Sequence, residues 1–149
     1  MNPSTRLDYR SLAPDAVDAL AGVDRCLDGC ALAPALRLLV EIRVSQINGC
    51  AYCVDLHTRR ARAAGERSQR IDCLGVWREV PLFDARERAA PARAEALTRS
   101  ADAPPDAAVY ADALDRFGEK EFVDLTLGVA GMNAGNRIGV GLRPAVRER

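Results

Sequence analysis

Apolar residues recur along most of the chain at the three- and four-residue spacing of an amphipathic α-helix. In PDAVDALAGVDRCLDGC the apolar stripe is formed by Val17, Leu20, Val23 and Leu27. The next stretch, PALRLLVEIRVSQI, begins at Pro34, which suits the first turn of a helix, where the amide hydrogen that proline lacks has no partner. Asn48-Gly49 ends this stretch and predicts a break before the next helix.

The remaining sequence predicts five more helical stretches and no strands. They cover residues 50–65, 68–77, 84–100, 104–118 and 119–143. Pro91 lies inside the stretch 84–100 and should kink that helix or begin a new one. No alternating run with a hairpin turn is present. We therefore predict an all-α fold of about seven helices in one domain, with the first ten and last six residues frayed.

Composition narrows the class of protein. The 149 residues carry 21 basic and 21 acidic side chains, so the balance gives no electrostatic argument for binding nucleic acid or an anionic membrane. No apolar run is long enough to span a membrane, and the first residues have no signal-peptide core. We expect the protein to be in the cytoplasm, where thiols stay reduced. The five cysteines, an odd number, argue against a closed disulfide framework.

The candidate chemistry lies in QINGCAYCVDLH. Cys50, Cys53 and His57 stand at i, i+3 and i+7, and so on one face of a helix. The helix would start just after Gly49, where free amide groups and the helix dipole stabilise a thiolate. His57, one turn beyond Cys53, can accept its proton. The spacing also permits reversible dithiol–disulfide cycling.

Other interpretations of this segment stay open. The cysteines could be a buried, inert pair. They could bind structural zinc with His57, with Cys26 or Cys30 as the fourth ligand, although such sites usually draw ligands from separated loops. Haem attachment requires histidine directly after the second cysteine, where Val54 stands. A thioredoxin-like pair would need a βαβ context, which is missing. We therefore predict no metal and no cofactor.

The segment RVSQINGCAYCVDLH closely resembles the core motif of the alkylhydroperoxidase D-like (AhpD-like) group in the carboxymuconolactone decarboxylase family. The resemblance extends through WREVPLFDARERAA and FVDLTLGVAGMNAGNRIGVGLR, and covers about 34–142 of the single domain 1–149. It implies an all-α fold, trimers or hexamers, and thiol-dependent peroxide reduction. It also implies that Cys53 attacks the peroxide, that Cys50 resolves the product and that His57 belongs to a proton relay. Local physics alone leaves the attacking cysteine open, because Cys50 is nearer the helix terminus and Cys53 is nearer His57.

The chain departs from the family pattern at two places. Well-characterised members carry a glutamate twelve residues before the first cysteine, where this chain has Leu38. Glu41, one turn along, could serve the relay from a shifted position or be a solvated carboxylate. Tyr52 replaces a histidine that some members have between the cysteines.

Several residues outside the motif carry expectations of their own. Gly131, Gly135 and Gly139 recur every fourth residue, which predicts close approach by another helix, within the chain or between subunits. Polar Asn133, Asn136 and Arg137 should bond across a helix or subunit contact, whereas Phe122, Leu125, Val129 and Met132 should be core. We also expect Cys73 in the core and Trp77 in the core or at a subunit contact. Cys26 and Cys30 are interpreted as small apolar residues, with an auxiliary redox pair as the alternative.

The leading functional hypothesis is an oligomeric thiol-dependent peroxidase that acts on hydrogen peroxide or organic hydroperoxides. Its candidate catalytic residues are Cys53, Cys50, His57 and Glu41. Its partners would be the peroxide, an external thiol or dithiol reductant and two or five further copies of the chain. The alternatives are a decarboxylase-like enzyme acting on a small lactone or acid, against which the cysteine pair argues, and a non-catalytic redox-sensing helical oligomer.

Overall fold

Helices form nearly all of the ordered structure in the computed structural model, which describes residues 6–146 and 148. The described residues form seven α-helices and one 3-10 helix, and no strand occurs among them. The α-helices are α1 (Tyr9–Leu12), α2 (Pro14–Leu27), α3 (Pro34–Asn48), α4 (Ala51–Ala63), α5 (Ser68–Cys73), α6 (Ala85–Thr98) and α7 (Ala107–Leu142). The 3-10 helix, Leu74–Glu79, lies between α5 and α6. The prediction of an all-α, single-domain fold is confirmed.

Local sequence signals explain where several helices start and stop. Asp84 caps α6 in a capping box with Glu87, each side chain accepting from the other's backbone N–H. Asp106 accepts from the Ala108 N–H at the start of α7. Inside α7, Gly118 has φ 66° and ψ 170°, a conformation that favours glycine. This break divides α7 into the two stretches that the sequence predicts, 104–118 and 119–143.

Helix α3 is the centre of the molecule, because α4, α6 and α7 all pack against it. One core cluster joins α3, α6 and α7, and a second joins α3, α4, α5 and the 3-10 helix. The first contains Leu36, Val40, Val44, Ala90, Ala94, Phe122, Leu125 and Val129. The second contains Leu39, Ile42, Ala61, Ile71, Leu74, Trp77 and Phe83. The expected core positions of α7 are confirmed, with Met132 packed half-buried against the first cluster.

Three local predictions are narrowed or corrected. Pro91 was expected to kink its helix or to begin a new one, and it does not begin one, since α6 runs from Ala85 to Thr98 with this proline buried. The stretch 68–77 is not one helix: α5 ends at Cys73 and a 3-10 segment follows, with Val76 outside the helical region. Tyr9 and Arg10, which lie among the first ten residues and were expected to fray, belong to the one-turn helix Tyr9–Leu12 capped by Asp8. Residues 1–5, 147 and 149 lie outside the described part, so the expected fraying there stays a prediction.

Individual side chains also depart from expectation. Trp77 is buried as predicted, but Cys73 is only half-buried, because it is the last residue of a short surface helix. Cys26 is exposed and Cys30 half-buried, and both are free thiols. Leu20 and Val23 of α2 are each 38% exposed, so the apolar face of α2 is incompletely covered within the described chain.

Candidate redox site

The two cysteines of the motif stand at the start of α4. Helix α3 ends at Asn48, and Gly49 reverses the chain with φ 66°. Cys50 then becomes the N-cap of α4, and its Sγ accepts a hydrogen bond of 3.3 Å from the Cys53 N–H. The side chains of Cys50 and Cys53 form a disulfide, with the two Cα atoms 5.3 Å apart. The sequence break at Asn48-Gly49 thus places both sulfurs at a helix N-terminus, as predicted.

The sulfurs lie against the last part of α7. Cys50 is 1% and Cys53 7% exposed, so Cys53 is the more accessible of the two. Gly139 of α7 faces the pair and leaves room for the Cys50 sulfur by having no side chain. The glycine stripe was expected to meet another helix, but its members differ. A methyl at Gly131 would be 3.5 Å from Val23 of α2, and one at Gly135 would meet no atom of the chain within 4 Å.

His57 and Glu41 contact each other in the wall of a cavity that apolar residues of α2 also line. The Nδ1 atom of His57 lies 2.8 Å from Oε2 of Glu41, and both side chains are 7% exposed. The contact is at ion-pair distance but is not an aligned hydrogen bond. Glu41 is therefore not a solvated surface carboxylate. Leu38, at the position of the family glutamate, packs instead against the second core cluster.

Arg37 was not identified from the sequence, although it touches the other oxygen of Glu41. Its Nε donates to Glu41 Oε1 at 2.9 Å, its Nη1 donates to Asp28 at 2.9 Å, and its Nη2 pairs closely with Asp24. Burial alone would lower the pKa of Arg37, but Glu41, Asp24 and Asp28 outweigh this effect, and the pKa is raised. The guanidinium consequently remains a cation that compensates the buried Glu41. The i, i+4 spacing of Arg37 and Glu41 is the signal that could have found it.

Polar side chains tie α7 to α3 just before the cysteines. Asn136 is fully buried, donates to Ser45 Oγ at 3.1 Å and accepts from Asn48 Nδ2 at 3.0 Å. Asn133 also accepts from Asn48 Nδ2, at 2.9 Å. Arg137 Nη1 donates to Asn48 Oδ1 at 2.8 Å. The prediction that these polar residues of α7 bond across a helix contact is confirmed, and the contact is intramolecular.

Two adjoining cavities reach Glu41. The first, about 240 Å³, is mostly apolar and lies between α2, α4 and α7, with Glu41 and His57 in its wall. The second, about 370 Å³, has a charged lining that comes from Arg37, Arg60 and the acidic residues that pair with Arg37. The apolar lining of the first includes Val17, Leu20, Val23, Leu56, Met132 and Ile138. Neither cysteine lines either cavity while the disulfide is closed.

Two negative findings apply to the described residues. No group of three or more His, Cys, Asp and Glu side chains within 6–146 and 148 is arranged to hold a metal ion. No helix in the same part of the chain is long and apolar enough to cross a membrane.

Comparison with known proteins places this site in a family. Residues 12–96 match the model of the carboxymuconolactone decarboxylase family. The uncharacterized protein YdfG of Bacillus subtilis is 33% identical over 139 residues, which are 93% of this chain and 95% of that protein.

Solved structures give the same result at the level of the fold. The protein ATU0492 from Agrobacterium tumefaciens has a TM-score of 0.95 and 31% identity to this chain, over 98% of this chain and 100% of that one. Its function is unknown, and the role of the antioxidant defence protein AhpD has been suggested for it. The debrominase Bmp8 shares the fold, with a TM-score of 0.83 and 20% identity over 92% of this chain and 74% of that one.

Proposed function

The chain belongs to the carboxymuconolactone decarboxylase family, and we propose that it is a thiol-dependent peroxidase of the AhpD-like type. The observation that carries this proposal is the Cys50–Cys53 disulfide at the N-terminus of α4, on the helix that also holds His57 against Glu41. A disulfide within one turn of helix can open and close with little movement of the backbone. The buried histidine–carboxylate pair supplies a place to store a proton.

We assign the attack on peroxide to Cys53. Its thiolate takes the outer oxygen of the hydroperoxide ROOH, the O–O bond breaks, and Cys53 becomes a sulfenic acid as ROH leaves. His57 accepts the Cys53 proton before the attack and returns it to the departing alkoxide. Because Nδ1 of His57 faces Glu41, Nε2 is the nitrogen left for this exchange. The greater exposure of Cys53 relative to Cys50 supports this order of attack.

The second half of the cycle regenerates the thiols. The Cys50 thiol attacks the Cys53 sulfenic acid, so the disulfide forms and water leaves. An external dithiol then reduces the disulfide through a mixed disulfide and leaves as its own disulfide. No metal or organic cofactor enters this cycle, and its only partners are the peroxide, the reductant and other copies of the chain. We infer a homotrimer or homohexamer, with copies covering the exposed apolar residues of α2.

The apolar cavity supports organic hydroperoxides over hydrogen peroxide as the better substrates. Its walls can hold an aliphatic or small aromatic group, and His57 and Glu41 provide the polar end to which the peroxide would point. Both sulfurs are nearly buried in the disulfide state. We therefore infer that Cys53 meets the cavity only after the pair is reduced.

The test is consumption of cumene hydroperoxide and of hydrogen peroxide with dithiothreitol as the reductant. Cys53→Ser should abolish turnover, whereas Cys26→Ser, which removes an exposed thiol on α2, should retain it. In Cys50→Ser, dimedone should label Cys53 after one equivalent of peroxide, because no resolving thiol remains. Turnover that survives Cys53→Ser, or wild-type protein that consumes neither peroxide, would refute the proposal.

A further inference from the structure

The feature that the proposed mechanism does not use is the glycine opposite the disulfide. Gly139 lies on α7, and a Cβ atom built on its backbone would lie well inside 3.0 Å of Cys50 Sγ and 3.1 Å from Cys53 Sγ. Real Cβ atoms essentially never approach other heavy atoms within 3.0 Å. Every residue other than glycine would therefore displace the Cys50 sulfur from the position that it occupies in the disulfide.

The two redox states differ in how they can respond to such a displacement. In the disulfide, Cys50 Sγ is bonded to Cys53 and also accepts the Cys53 N–H at 3.3 Å, so it cannot turn away without breaking the pair. In the dithiol, the Cys50 side chain can rotate about its Cα–Cβ bond to another staggered position. A methyl group at position 139 would penalise the disulfide more than the dithiol.

We propose that Gly139 is a positioning residue that sets the redox equilibrium of the Cys50–Cys53 pair by giving the oxidised state the space that it needs. The balanced reaction is the two-electron, two-proton reduction of the disulfide by dithiothreitol, which is itself oxidised to its cyclic disulfide. This inference rests on the proposed function only in treating the pair as redox-active. It concerns an equilibrium that exists whether or not the protein turns over peroxide.

The same helix offers a matched control. Gly135 lies one turn before Gly139, and a Cβ atom there would meet no atom within 4 Å. Both substitutions by alanine replace a helical glycine and add one methyl group. Only the one at position 139 adds that group against the sulfurs.

The experiment equilibrates wild type, Gly139→Ala and Gly135→Ala in graded mixtures of reduced and oxidised dithiothreitol. Acid quench, alkylation and intact mass give the oxidised fraction. We expect Gly139→Ala to shift the equilibrium constant at least tenfold toward the dithiol, which is about 30 mV for a two-electron couple. Gly135→Ala should match wild type. A smaller shift in Gly139→Ala, or an equal shift in Gly135→Ala, would overturn the proposal.

A second comparison covers the case in which Gly139→Ala fails to fold when oxidised. Removing the sulfur with Cys50→Ala should then restore a folded protein in the Cys50→Ala/Gly139→Ala double variant, as measured by circular dichroism and thermal unfolding. A double variant that still fails to fold would show that Gly139 is needed for helix packing alone, and would refute the redox role. Wild-type protein that consumes no peroxide, together with the tenfold shift in Gly139→Ala, would refute the proposed function and leave this inference standing.

Discussion

Glu95 of α6 joins its own helix to α3 and to the 3-10 helix, and its removal gives a prediction that can be worked out from these contacts. Its buried carboxylate accepts from Arg43 Nε of α3 at 2.8 Å, from Trp77 Nε1 at 3.0 Å and from Arg78 Nη1 at 2.6 Å. Arg43 lies on the same helix as Glu41, so this cluster fixes the helix that presents Glu41 to His57. Glu95→Gln keeps the shape and the acceptor for Trp77, but removes the charge.

The expected cost comes mainly from one of the two arginines. The Arg43 side chain is 13% exposed, and leaving such a cation without its anion costs about 3 kcal/mol. This value is the lower end of the usual range, because the side-chain oxygen of the new glutamine can still accept from Arg43. The Arg78 side chain is 54% exposed, so the loss of its ion pair adds little. We therefore expect Glu95→Gln to lower the free energy of unfolding by about 3 kcal/mol at neutral pH.

The pH dependence has a defined sign. Burial alone would raise the pKa of Glu95, but hydrogen bonds from Trp77, Arg78 and Arg43 outweigh it and the pKa is lowered. A carboxyl whose folded-state pKa is depressed stabilises the fold above its unfolded pKa, which is about 4.3 for glutamate, and this stabilisation is lost as pH falls through the folded value. The difference between wild type and Glu95→Gln should thus be full at pH 7 and shrink below about pH 4.

The assay is urea unfolding at one fixed protein concentration, because assembly would make stability depend on concentration. Asp72→Asn is the control, since Asp72 pairs with Arg62 at 3.3 Å with side-chain exposures of 66% and 46%. That variant should lose less than about 1 kcal/mol. If Glu95→Gln loses no more than Asp72→Asn, or if its loss is as large well below pH 4, at pH 3, as it is at pH 7, the account of this cluster is wrong.

Two further predictions concern the relay and the assembly. His57→Ala should slow alkylation of reduced Cys53 by iodoacetamide at neutral pH. Glu41→Gln should show part of this effect, because Glu41 lies 2.8 Å from the histidine. Equal rates in wild type and both variants would mean that the helix terminus alone activates the thiol. Light scattering at micromolar concentration should show a trimer or hexamer. Gly135→Leu should weaken that assembly without unfolding the chain, since a Cβ atom there meets no atom of its own chain within 4 Å, and an unaltered assembly would exclude this glycine from the subunit contact.

The helices were predictable because their signals are local. The 3.6-residue period of apolar positions predicts each long helix. Gly49 marks the end of α3 and Gly118 marks the break inside α7, because both have backbone conformations that other residues rarely adopt. For Pro91 the sequence left a kink and a new helix open, and the structure excludes the new helix. Helix α6 packs against α3 and α7, and that packing retains one helix across the missing hydrogen bond.

The contacts that shape the site were less accessible to sequence reasoning. Glu95 binds Arg43 across 52 residues of sequence, and no local pattern links them. The contact of Gly139 with the sulfurs of Cys50 and Cys53 is likewise between residues far apart in the sequence, which no local pattern links. The regular glycine spacing on α7 suggested a single helix contact. Gly131 instead faces Val23, Gly139 faces the cysteine sulfurs and Gly135 faces no atom of the chain within 4 Å, because the spacing of four drifts around a helix of 3.6 residues per turn.

The position of Glu41 was the one open question of the motif that the sequence could have answered. Glu41 stands eight residues before Gly49, and His57 stands eight residues after it. Helices α3 and α4 pack against each other across that tight turn, so residues equally far from it lie at similar heights, here about 12 Å along each helix at 1.5 Å per residue. Leu38 is three residues, or about 4.5 Å, farther from the turn and faces the second core cluster. Counting from the turn, rather than from the first cysteine, identifies Glu41 as the carboxylate that meets His57.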